Sequence, residues 1–232
     1  MLNFFHIFYK KITTFKISYS FGGIDSLVAN IFKNKKSGIY VDVGCSHPIK
    51  NNNTYLLHKK GWRGTNIDLD IKNIQLFNYA RPKDNNVNAA ISDKISEEDL
   101  YFYHDKSPIN TLSKEISTYQ KAKVSKTIKV KTTPLNIILN RSPFFDSPID
   151  FLSIDVEGLE YKILKKFDFD KYQPKVIVVE YLDTTLPKLE IKNLNIDNVI
   201  NSNVYKLIVS KGYTLANWLH SDLVFIKNSF RD

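Results

Sequence analysis

From residue 38 onward, short runs of β-branched and aliphatic residues alternate with longer stretches in which apolar positions recur at helical spacing. Residues 39–43 read as a buried strand, 54–60 as a helix ended by Gly61, and 65–69 as a second strand. Residues 71–80 have the pattern of a helix, which Pro82 closes because it cannot continue one. A third strand is expected at 87–91, and two more at 99–103 and 127–133. The polar stretch between 107 and 125 carries no clear period. The alternation resumes with a strand at 149–154, a helix at 159–167 and a strand at 175–179. A helix at 204–211 then stops at Gly212, and 213–218 with 223–226 form a hairpin around His220, Ser221 and Asp222. Repeated strand and helix in this order predict an α/β fold, a mostly parallel sheet covered on both faces and ending in an antiparallel pair.

The 232 residues, 43% of them hydrophobic, suffice for one domain with a full core and leave no room for a second large one. A helical extension over 1–37 precedes the main domain, 38–232. Basic residues exceed acidic ones, 33 against 24, for a net charge of +9. Only Arg63, Arg81, Arg141 and Arg231 carry the forked group that reads phosphates bidentately, so a solvated lysine surface is favoured over a nucleic-acid partner. A single cysteine, Cys45, excludes a disulfide-stapled fold and fits a reducing, cytoplasmic location. Residues 1–20 mix Phe4, Phe5, Ile7 and Phe8 with Lys10, Lys11 and Lys16. This run is too short to span a bilayer and lacks the charge order of a signal peptide. A helix packed on the domain is the favoured reading; a helix lying on the inner face of an anionic membrane is the alternative.

In open α/β sheets, ligands bind beyond the carboxyl ends of the strands, where strand order reverses. The first strand ends in Asp42-Val43-Gly44-Cys45-Ser46-His47, where the glycine lets backbone approach a ligand closely. The second ends at Asp68, 24 residues after Gly44, near the spacing expected of a carboxylate that accepts ribose hydroxyls. No G-x-G-x-x-G run and no G-K-[ST] is present, so an adenosine-type cofactor without a phosphate cradle fits better than NAD or ATP. The most informative string is Phe151-Leu152-Ser153-Ile154-Asp155-Val156-Glu157-Gly158-Leu159-Glu160, an apolar strand delivering Asp155 and Glu157 at its carboxyl end. Glu180 ends the neighbouring strand and adds a carboxylate to the same edge. The five histidines show no H-E-x-x-H or H-x-x-x-H spacing, which argues against zinc.

These residues together resemble the FkbM-type S-adenosylmethionine-dependent methyltransferases. The likeness rests on Tyr40-Val41-Asp42-Val43-Gly44, on Asn53-Thr54-Tyr55-Leu56-Leu57 leading to Gly61-Trp62-Arg63-Gly64, on Asn66-Ile67-Asp68, and above all on Phe151 through Gly158. The resemblance implies a class I methyltransferase (Rossmann-like) domain over 38–232, with seven strands of which the last pair is antiparallel. It further implies S-adenosylmethionine held by Asp42, Gly44 and Cys45, its ribose on Asp68 and Leu69, and its adenine near Asn88, Ala89 and Ala90. The implied reaction is O-methylation of a hydroxyl on a sugar, glycan or glycolipid. RNA or protein methylation, or an inactive binding protein on the same scaffold, are the alternatives. A sugar hydroxyl must lose its proton during attack. Asp155 is the first candidate base, with Glu157 and His47 behind it. Alternatively, a magnesium or calcium ion on Asp155, Glu157 or Glu180 lowers the hydroxyl's pKa.

Overall fold

The computed structural model describes residues 17–105, 107–120, 122–186 and 190–231. The strands are β1 Ile39–Val43, β2 Arg63–Asp68, β3 Asn85–Asn88, β4 Ala90–Ser92, β5 Ser96–Phe102, β6 Lys126–Pro134, β7 Phe151–Ile154, β8 Val176–Glu180, β9 Tyr213–Leu219 and β10 Asp222–Lys227. Seven of them form one sheet in the order β3-β2-β1-β7-β8-β10-β9. β1 runs parallel to both β2 and β7, β2 to β3, and β7 to β8, while β10 is antiparallel to β8 and β9. The expected architecture is therefore present, and strand order reverses between β1 and β7.

Burial on both faces explains why the central strands read as continuous apolar runs rather than alternating ones. Successive residues nonetheless face opposite layers. Leu152 and Ile154 of β7, with Ile177 and Val179 of β8, enter one core. Phe151, Val176 and Val178 enter the other, where Tyr40 and Trp62 meet Ile24, Val28 and Phe32 of the Ile24–Ile31 helix and its C-cap. The expected N-terminal helix lies, up to residue 16, outside the described residues. Among the described residues no helix is long and apolar enough to cross a membrane.

The structure corrects the third strand. Residues 87–91 are not one element: β3 ends at Asn88, and Ala90 starts β4 in a separate three-stranded sheet, β4-β6-β5. The main-sheet neighbour β2 ends at Asp68, so backbone beyond Ala89 has nothing there to pair with. It pairs instead with Thr132, Thr133 and Pro134. The two middle strands expected at 99–103 and 127–133 are the other members of this small sheet, β5 and β6. The unassigned stretch contains the helix Lys114–Tyr119, whose N-cap Ser113 accepts a hydrogen bond from the Ile116 amide.

Behind β1 the chain is fastened by Arg81, which is fully buried at the end of the Ile71–Ala80 helix. Its guanidinium donates to the Pro48 carbonyl, to Thr54 Oγ1 at 2.8 Å and to Asn52 Oδ1 at 2.8 Å. It also lies 4.9 Å from the centre of the Phe77 ring. Burial raises the Asp42 carboxyl, and the charge of Arg81 opposes that rise. Asp84 nearby accepts from Tyr40 and Asn66. Arg81→Met should cost about 3–5 kcal/mol, because it leaves a buried carboxylate uncompensated. Urea denaturation reads this directly, and a loss below about 1 kcal/mol would show that the guanidinium is not what holds the loop.

Candidate active site

The carboxyl ends of β1, β2 and β7 converge on a cleft lined by Gly44, Ser46, Asp68, Leu69, Asp70, Asn73, Ala89, Asp155 and Glu157. Its apolar wall comes from Val43, Ile67, Ile91, Leu112 and Leu159. A second cavity, beneath Phe144 and Phe145, offers only about 10 Å³, against about 110 Å³ in the cleft, and has room for no more than a water.

Backbone geometry builds the cleft floor. Gly44 sits at φ 79°, in the left-handed region, and a Cβ there would fall 1.7 Å from the carbonyl oxygen of Asp155. Only glycine lets the loops after β1 and β7 close to this distance. The amides of Gly44 and Cys45 both donate to the Ile67 carbonyl, at 2.9 and 3.1 Å, and the Asp155 amide to the Val43 carbonyl at 2.9 Å. The three strand ends are thus tied to one another. Residues 107–112 form the roof. Thr111 Oγ1 donates to the Glu157 carbonyl at 2.6 Å, and Asn110 receives the Tyr103 amide at 2.9 Å.

Asp68 stands at the end of β2, nearly buried. One carboxylate oxygen accepts the Ser46 amide at 2.8 Å and the other the Asp70 amide at 2.7 Å. Burial raises its pKa, and the two backbone amides oppose the rise. Asn73 also hydrogen-bonds to this carboxylate, so of its roughly four lone-pair sites about one remains for a further donor. That remaining site fits a ribose hydroxyl, and Ala89, Ile91 and Leu112 offer the apolar slot a flat base needs.

The other end of the cleft is acidic. Asp155 is open to the cleft, while Glu180 at the end of β8 and Asp222 at the start of β10 are nearly buried. Loss of solvent around its carboxyl in the cleft raises Asp155, Glu180 beside it opposes this and the charge on Asp68 adds to it. Glu157 is pushed up to about 9 by burial and by the charges of Asp155 and Glu160. Glu180 rises well above the usual range through burial and the same neighbours. Asp222 reaches about 7 through burial and Asp155. Glu157 also holds a left-handed φ of 55°, unusual for a residue with a Cβ.

Of the expected site residues, Gly44, Asp68, Leu69, Ala89, Asp155 and Glu157 line this cleft. Asp42 does not. Two positions after Tyr40 on the same strand, it faces the opposite layer, where it accepts from Asn52 Nδ2 at 3.0 Å and Thr54 Oγ1 at 2.9 Å. The expected place of Asp42 against the cofactor is therefore corrected: of the strand-end aspartates Asp42, Asp68 and Asp155, only Asp68 and Asp155 line the cleft. Cys45 contributes its backbone to the turn, but its thiol is buried against Ile74 and Phe77, and burial pushes its pKa well up. The His47 ring accepts the Ile49 and Lys50 amides at 3.0 Å and shapes its own loop outside the cleft. Asn88 turns its amide to the carbonyls of Asp68 and Leu69, at 3.0 and 2.9 Å. Ala90 is buried in the small sheet.

Ser46, Asp70, Asn73 and the roof residues Ser107, Pro108 and Asn110 line the cleft without having been expected to. Asp70 carried a readable signal, since it caps the following helix by accepting the Lys72 amide at 2.8 Å. Asp222 was also missed as a site residue. Its place opposite Glu180 follows from the antiparallel register of β10 on β8, which strand pattern alone does not specify.

A seven-stranded, mostly parallel sheet reversing order at β1 and β7, with an antiparallel last pair and a cleft at the reversal, is the fold expected of a class I methyltransferase. The model of the "Methyltransferase FkbM domain" family matches residues 42–207, and the chain belongs to that family. It is a methyltransferase dependent on S-adenosylmethionine. Among solved structures it is similar to a TehB-like SAM-dependent methyltransferase from Corynebacterium glutamicum ATCC 13032 Kitasato. That match has 10% identity and a TM-score of 0.43, covering 97% of this chain and 95% of the other. A second likeness is to a precorrin-6y C5,15-methyltransferase from Geobacter metallireducens GS-15. Here identity is 10% and the TM-score 0.39, over 92% of this chain and 91% of the other. No curated protein matches the chain.

Glu160, beside the site, supplies a pH signature. It accepts the Val156 amide at 2.9 Å and the Gly158 amide at 3.1 Å. Burial raises its pKa to about 7 against these opposing hydrogen bonds. The folded chain then keeps a proton that the unfolded chain releases near 4.5. Its contribution to stability is complete below that value and is lost as pH rises to about 7. Glu160→Gln keeps the accepting oxygen and should flatten the decline in unfolding free energy by up to about 1.4 kcal/mol per pH unit. Urea melts across this window test it, and an unaltered slope would refute the assignment.

Proposed function

We propose that the protein methylates a hydroxyl oxygen of a sugar, glycan or glycolipid. The observation that carries this reading is the acidic edge: Asp155, open to the cleft, is backed by Glu157, Glu180 and Asp222. Several carboxyl groups in one place, some holding their protons, can both accept from and donate to the hydroxyls of a polyol. The chain is basic through lysine rather than arginine, which gives an RNA backbone few bidentate partners.

S-adenosylmethionine supplies a methyl group on a positively charged sulfur. Asp68 and Leu69 would take its ribose and the Ala89 wall its adenine. Transfer of that methyl group to a hydroxyl oxygen would release the hydroxyl proton, which Asp155 would accept. A carboxylate whose pKa is raised is the better base for this transfer. Alignment of acceptor and donor does the rest of the work. A divalent cation at this edge belongs to the same reading.

Transfer of labelled methyl to saccharide, RNA and protein pools tests the proposal. Label in the saccharide pool is expected; label confined to RNA or protein would overturn it. Asp68→Ala should weaken cofactor binding by about 1.5–3 kcal/mol, the value of hydrogen bonds to a charged group, as read by calorimetric titration; unchanged affinity would remove Asp68 from the ribose site. Asp155→Asn should lower kcat by about 10²–10⁴ while leaving cofactor affinity nearly as it was. A loss confined to affinity would assign Asp155 to binding instead.

A further inference from the structure

We infer that Asp155, Glu157 and Glu180 form a binding site for a hard divalent cation, magnesium or calcium, on the acceptor side of the cleft. The inference rests on the reading of that edge as the place where a hydroxyl-bearing acceptor docks. One carboxylate oxygen from each of the three residues lies within 4.8 Å of the others. Ligands around such an ion stand about 3.0–3.7 Å apart when adjacent and about 4.0–5.2 Å apart when opposed, from metal–oxygen distances of about 2.0–2.6 Å. A separation of no more than 4.8 Å lets all three oxygens reach one such ion.

Independent support comes from Glu180. The residue is only 9% exposed, yet its Oε2 is buried with no hydrogen-bond partner in the protein. A buried carboxylate oxygen left unpartnered is costly, and a cation facing it removes the cost. Among the described residues, no lysine or arginine pairs with any of the three acids. The positive charge this cluster calls for is not furnished by a neighbouring side chain.

The supporting frame is rigid where it needs to be. Asp155 and Glu157 follow β7 and Glu180 ends β8, and these strands are paired in parallel register. The Glu157 carbonyl is held by Thr111, and Gln120 reaches one Glu157 carboxylate oxygen at 3.3 Å. Oxygen-only ligands select magnesium, calcium or manganese over zinc or copper. Three protein ligands leave about three positions of a six-coordinate ion open. Two adjacent hydroxyls of a sugar could take two of them. The ion then lowers the hydroxyl pKa as a Lewis acid, and the second oxygen of Asp155 remains free to take the proton.

Manganese serves as the probe, its free signal followed by electron paramagnetic resonance as it is titrated into the full chain without cofactor. One bound ion per chain, displaced by excess magnesium or calcium, is expected. Glu180→Gln and Glu157→Gln should each weaken binding by at least about tenfold, since even residues behind a metal ligand are worth about 10–100-fold. Both variants should still bind S-adenosylhomocysteine, which shows that they fold. Glu157 lies at the cleft surface, so its variant decides the matter if the buried Glu180→Gln does not fold. Absence of stoichiometric manganese, or unchanged affinity in Glu157→Gln, overturns the site. Full-rate methylation of a saccharide in excess chelator also overturns it while leaving the hydroxyl reading intact. Stoichiometric manganese with label entering only RNA has the opposite effect, keeping the ion and removing the acceptor class.

Discussion

The site depends on the contact between two backbone segments, Gly44 after β1 and the carbonyl of Asp155 after β7. Their approach leaves no space for a Cβ. It brings the ribose end of the cleft, built on β2, to within reach of the acidic end, built on β7 and β8. Strand order reverses here, so the two loops diverge to opposite faces of the sheet and open a crevice between them. The amides of Gly44 and Cys45 reach across to β2, and that of Asp155 to β1. Backbone hydrogen bonds therefore fix the position of the two carboxylates that matter most, Asp68 and Asp155.

Two buried networks on opposite sides of β1 solve the same electrostatic problem differently. On the Tyr40 side, the carboxylates of Asp42 and Asp84 are balanced by Arg81 and by donors from Thr54, Asn52, Tyr40 and Asn66. This network is structural and holds the 45–54 loop in place. Burial raises Asp42 too, but Arg81 opposes it there; on the cleft side, Asp155, Glu157, Glu180 and Asp222 share no such guanidinium, and their neighbours' like charges add to the rise. Groups left uncompensated in a cleft are poised to exchange protons or to meet a cation, whereas the compensated ones behind the sheet are not. The basic surface of the chain and the acidic floor of its cleft thus answer to different partners.

The roof formed by residues 107–112 shows how the small sheet serves the site. β4 leaves the main sheet after Ala89 and carries the chain to β5 and β6, so the segment between those strands falls over the cleft mouth. Thr111 bridges to Tyr101 of β5 and also holds the Glu157 carbonyl, which links the small sheet to the acidic loop. A left-handed φ at Glu157 is tolerated because this loop is pinned from both sides.

By itself the sequence determined the alternation of strand and helix in the main sheet, the parallel sheet with its closing hairpin, and Gly44, Asp68, Asp155, Glu157 and Glu180 as strand-end candidates. Apolar period and strand-end position are local properties, and they are legible in short strings such as Phe151 through Glu157. Only the tertiary structure decided that Asp42 turns away from the cleft, that residues 87–91 split between two sheets, and that Asp222 joins Glu180. It also brought Ser107 to Leu112 over the mouth. Each of these depends on which strand lies beside which and in what register. Pairing partners are chosen by backbone hydrogen bonds between segments far apart in the chain, and no local pattern of side chains encodes that choice.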